Sequence, residues 1–196
     1  MKKKLIIIVI ICLSLFIFRN SIIRQYFISK IEYVDYDEYI LIDYLNGKKN
    51  KASYVGADFM VVLGYNEKEE VESVWVYDYD KKVKCEYNLV TGETDRTANN
   101  ENRPISLNND YLLELLHSKA KFKFEFIKEI HSTNSYAFEF RPTREHIITM
   151  YLDKELLYTV EYVEEFLDTN KDKTMIHNYE LDLELKHKDS FKEYIN

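Results

Sequence analysis

The chain has 196 residues, 34 acidic against 27 basic for a formal net charge of −7, with 46% hydrophobic residues, 15% aromatics and four glycines. A composition this apolar and aromatic buries a core rather than staying disordered, and so few glycines exclude phosphate-cradling loops. Every acidic residue lies beyond position 30, so residues 31–196 carry thirteen more acidic than basic groups, a balance that repels nucleic-acid backbones and anionic headgroups.

Lys2, Lys3 and Lys4 precede an unbroken apolar run, Leu5–Phe18, closed by Arg19 and Asn20. Residues 1–20 therefore read as an N-terminal signal or membrane anchor. The run covers about 21 Å as a helix, short of a hydrocarbon core of about 30 Å, which suits a cleaved signal. No small-x-small tripeptide follows it, which suits an uncleaved anchor, and Ile11 before Cys12 argues against a lipoprotein site. Either way the remainder is placed outside the cytoplasm of a bacterial cell: a single-pass membrane protein, or a secreted one if the leader is cut. A single cysteine, Cys85, in that remainder fits such export.

Residues 21–34 form a juxtamembrane stalk, with Ile22, Ile23, Tyr26 and Phe27 at helical spacing. A first α+β unit spans 35–92. It opens with an expected helix over Asp37–Leu45, its stripe Ile40, Leu41, Tyr44 and Leu45, stopped by Asn46-Gly47. Strands are expected over Tyr54–Tyr65, Val71–Tyr79 and Lys82–Val90. Residues 93–104 lack periodicity and read as a connector. The second unit, 105–196, opens with a helix from Ser106 to Lys119 whose stripe is Tyr111, Leu112, Leu115 and Leu116. Alternating runs follow through Phe122, Phe124 and Phe126, through Tyr136, Phe138 and Phe140, and over His146–Tyr151. A hairpin of Leu156–Leu167 and Thr174–Lys186 comes next, then a last helical turn at Ser190–Ile195.

The fold class is thus α+β: an N-terminal membrane-anchoring helix, then antiparallel β-meander sheet or sheets with two short packed helices. Two αβββ-type subunits, or one domain over 35–196, both satisfy the pattern.

Arg141, Arg144 and His146 flank Pro142 on an exposed turn and could receive an anionic group. Trp75, the sole tryptophan, is a further candidate contact. Asp168, Asn170 and Asp172 space oxygens as calcium loops do, but Lys173 and Tyr179 stand where such loops take Gly and a bidentate Glu. The five histidines have no metal-ligand spacing, and Cys85, on the apolar face of its strand, reads as an inert thiol. GxSxG, GxGxxG and P-loop motifs are all lacking, and no catalytic residue, metal or cofactor is assigned.

The sequence is best read as a non-catalytic binding or interaction module of the cell envelope, held to the membrane by its N-terminal helix. Its partner would be another envelope protein; nucleic acid is excluded as one. The alternative is a carrier or sensor of an apolar ligand, which requires part of the Phe122, Phe124, Phe126, Phe138 and Phe140 set to line a cavity. A wall-acting hydrolase, with carboxylates brought together by folding, is the third reading.

Overall fold

Short polar turns between alternating runs make successive strands antiparallel neighbours. A computed structural model describes residues 18–31, 36–100, 109–130, 132–167 and 173–195. Helix α1 covers 18–31. Strands β1 (Tyr39–Leu45), β2 (Lys48–Val55), β3 (Phe59–Tyr65), β4 (Val71–Asp78), β5 (Val83–Asn88) and β6 (Thr94–Ala98) follow. After α2 (Asp110–His117) come β7 (Lys121–Ile130), β8 (Thr133–Arg141), β9 (His146–Asp153), β10 (Thr159–Phe166) and β11 (Lys173–Asp182). A 3-10 turn, Lys188–Phe191, runs into α3, Lys192–Ile195.

All eleven strands belong to one antiparallel sheet in the order β6-β5-β4-β3-β2-β1-β11-β10-β9-β8-β7. It is two meanders laid edge to edge and joined where β1 pairs with β11, from Ile40 opposite Asp182 to Leu45 opposite His177. The fold is therefore α+β in character, an open antiparallel meander with few helices.

Strand parity divides the core in two. Ile40, Ile42, Ala52, Tyr54, Val61, Leu63 and Val74 share one face of the first meander, covered by Phe191 with Leu185 and Tyr194. Phe124, Phe138, Phe140, Ile148, Met150 and Leu152 share one face of the second, covered by Phe27, Ile28 and Ile31 of α1 and Leu112, Leu115 and Leu116 of α2. The register carries Ile42 across Glu180 and on to the row of Glu161 and Tyr151. That is the reverse side from Tyr162, Met150 and Phe138, because neighbouring residues of a strand point oppositely. The sheet thus changes its dry side at the β1–β11 seam.

Three expectations are corrected. Asp37–Leu45 is not a helix: its ordered core is β1. At the seam both faces are covered, Ile40 and Ile42 by one cluster and Tyr39 and Leu41 by another, and a strand dry on both sides shows no alternation to distinguish it from a helix stripe. Asn46-Gly47, expected to stop that helix, is a two-residue hairpin turn with φ of 50° and 80°, as such turns require. The connector region also holds β6, an edge strand exposed along its whole length, which leaves no apolar pattern to read. The expected single strand Tyr54–Tyr65 is divided: β2 starts already in the polar stretch Lys48-Lys49-Asn50-Lys51 and ends at Val55, and β3 starts at Phe59. The leader over 1–17 and the turn of Asp168, Asn170 and Asp172 lie outside the described residues. Among the described residues no helix is long and apolar enough to cross a membrane.

Candidate functional site

Helix α2 turns Leu112, Leu115 and Leu116 into the core, and this orientation leaves Tyr111 and Glu114 facing outward. Beside them opens a cleft of about 770 Å³. One wall is α2 with residues 118–121, and the other is the β8–β9 turn from Arg141 to Arg144 together with His146.

The helix wall is fixed from behind by α1. Arg24 donates Nη1 to the carbonyl of Leu116 at 3.0 Å and to that of Ser118, and Nη2 to that of Ala120 at 2.6 Å. Its guanidinium also lies 5.1 Å from the centre of the Phe122 ring. Burial pulls the Arg24 pKa below its ordinary value, but a guanidinium stays charged. One cation therefore satisfies the carbonyls in and beyond the last turn of α2, the end that otherwise carries partial negative charge.

Two lining residues, His146 and Tyr111, belong to a run of contacts that continues outside the lining. His146 Nε2 lies 2.7 Å from Glu164 Oε1, and its ring stacks on Phe166 at 4.5 Å. Beside Glu164, Tyr162 meets Tyr111 edge-on at 5.4 Å. Desolvation, with hydrogen bonds to Glu164 and Tyr111, holds the Tyr162 hydroxyl far above its usual pKa, so it stays protonated. Tyr162 also stacks on His177 at 5.4 Å, and His177 Nδ1 is 3.0 Å from Asp43 Oδ1.

The rim is cationic. Arg141 Nε donates to Glu139 Oε1 at 2.9 Å. Lys119, Lys121 and Arg144 have no carboxylate partner among the described residues. Glu114 is the one acidic residue in the lining. A protein of net charge −7 thus presents one concave surface of opposite sign.

The structure brings Arg141, Arg144 and His146 together on one wall. Trp75 is elsewhere: it sits on β4 in the other meander, and a Cβ added at Gly64 would lie 2.9 Å from its ring. Among the described residues no group of three or more His, Cys, Asp or Glu could hold a metal. Cys85 is a free, half-buried thiol on β5 opposite Val76. The described rings of the phenylalanine set close against the helices: Phe138 and Phe140 are fully buried, and Phe27 meets Phe138 at 4.9 Å and Phe124 at 5.3 Å. Sequence reasoning missed Lys119, Lys121, Arg24 and Glu164. The alternation of Lys119, Lys121 and Lys123 with apolar residues was the available signal for the first two.

No family model matches the chain, and no curated protein does. Among solved structures it is similar to PNGF-II, at 12% identity and TM-score 0.35 over 74% of this chain and 27% of that one. It is also similar to a LolA superfamily protein of Nitrosomonas europaea, at 9% identity and TM-score 0.35 over 87% and 98%. A third likeness is to MucB, solved in complex with MucA(peri), at 9% identity and TM-score 0.34 over 81% and 54%. Overlays this loose assign no family, and no function is taken from them.

Proposed function

We propose that the chain is a non-catalytic binding module of the cell envelope, tethered by its leader, with its contact site in the cleft between α2 and the β8–β9 turn. The observation that carries this reading is the convergence of Lys119, Lys121, Arg141 and Arg144 on one concavity of an otherwise acidic protein. The sequence of the leader supports the compartment, since Lys2–Lys4 ahead of Leu5–Phe18 suits insertion with the rest of the chain outside. Lys119, Lys121 and Arg144 have no carboxylate partner among the described residues, and cations so placed at a rim act as recognition groups for an anionic partner.

The test is native mass spectrometry of the full chain extracted from its own membranes in mild detergent. The wild type should carry a bound species that the Arg141→Ala, Arg144→Ala double variant loses, with the circular dichroism of both unchanged. Equal loading of both proteins, or a wild type that arrives bare, overturns the reading.

A further inference from the structure

Leu5–Phe18 leads in sequence straight into α1, and α1 holds the helix wall of the cleft. Asn20 Nδ2 donates to the carbonyl of Phe122 at 3.4 Å, and Arg24 holds the carbonyls of Ser118 and Ala120, two residues that line the cleft. The apolar run ends at Phe18, six residues before Arg24, or about 9 Å along a helix axis. A headgroup layer is about 5–8 Å thick on each side of the hydrocarbon. Phe18 and Ile22, one turn apart on α1, are 57% and 50% exposed and extend the apolar character of the leader onto the surface of the helix.

We propose that the cleft receives the phosphate of an anionic phospholipid headgroup from the leaflet in which the leader is anchored. This deepens the function proposed above and rests on its tethered reading. Four cations suit a phosphodiester, whose free oxygens accept from several donors at once, and two of them are arginines able to grip it through paired N–H groups. Arg24 prepares the site from behind, because the carbonyl end of α2 would otherwise repel an anion at the wall. The broad acidity of residues 31–196 then works in the same sense. Acidic surfaces are pushed off an anionic bilayer while the cleft is drawn to it, so the module stands on the membrane in one orientation.

The experiment uses the full chain in three settings: phosphatidylcholine nanodiscs, nanodiscs that also contain phosphatidylglycerol, and detergent micelles with inorganic phosphate. An amine-reactive label followed by peptide mass spectrometry reads the accessibility of each lysine. Lys119 and Lys121 should label about fivefold more slowly in the phosphatidylglycerol discs than in the neutral ones, the factor expected for one cation held at such a surface. Lys81 and Lys186, both exposed, should not change. Arg141→Glu with Arg144→Glu should abolish the difference while the chain remains in the discs. Equal protection in both kinds of disc overturns the headgroup site and leaves the tether standing. Equal protection by inorganic phosphate in micelles assigns the cleft to a soluble phosphate and overturns the lipid. A chain that does not stay with discs of either kind overturns this proposal and the tether together.

Discussion

Arg24 ties α1 to the end of α2 and to the link into β7 through one side chain, its partners being carbonyls 92, 94 and 96 positions away. Hydrogen bonds made by a charged donor contribute about 1.5–3 kcal/mol each, and groups left without a partner carry a desolvation penalty besides. Arg24→Met, which keeps the length of the side chain and removes the fork, should destabilise the protein by about 3 kcal/mol, read as a lower denaturant midpoint at unchanged m-value. Arg24→Lys should recover only a small part of that, since an ammonium cannot address three carbonyls in one plane. A loss of stability below about 0.5 kcal/mol in the methionine variant would show that water replaces the guanidinium. In the sequence Arg24 is one more charge flanking the leader. A residue whose partners are backbone atoms leaves no complementary side chain to find, which is why its role was not legible.

At the scale of elements, legibility followed wetness. The phenylalanine strands β7 and β8 were readable because one side of each meets solvent and the alternation survives, whereas β5 alternates in sequence although Tyr87 on its apolar side is exposed. Strand β1, dry on both sides, and β6, wet on both, gave the wrong pattern or none. The Arg141–His146 wall of the cleft was legible from a proline turn crowded with cations, whereas its other wall depends on where α2 packs. The segment after β11 is a further element with a consequence. Burial alone would raise the pKa of the Asp182 carboxyl. The backbone N–H of His187 at 3.0 Å, the His187 Nδ1 at 2.9 Å and the backbone of Lys186 outweigh it and hold the carboxyl below its ordinary value. A depressed carboxylate contributes stability above its unfolded pKa, and that contribution is lost as the pH falls through the folded value. The melting temperature should therefore hold at neutral pH and fall below about pH 4, where an ordinary Asp titrates. Asp182→Asn should start from a lower Tm at pH 7 and fall less steeply in acid. Parallel acid slopes for the two proteins would remove Asp182 from the account.

For the whole molecule, the decisive feature is that each end of the chain covers the opposite meander: α1 lies on β7–β9, and Phe191 lies on β1–β4. Phe27→Ala and Phe191→Ala each open a cavity in a different core, at a cost of about 3–5 kcal/mol. Joined through the β1–β11 pairing, the two meanders should still melt together. Calorimetry should show one transition, lowered by either substitution; a second transition appearing in one variant would mean that the meanders unfold separately. The seam itself was out of reach of pattern reading, because nothing local in Ile40–Leu45 names His177–Asp182 as its neighbour. It also sets a timetable. A ribosome delivers β1 long before β11, and α1 long before the strands that hold it, so the second core waits for β7–β9 and the first stays uncovered until Phe191 has been made. The first meander thus waits with a bare apolar side while the whole second one is made, the interval in which it is most open to wrong partners.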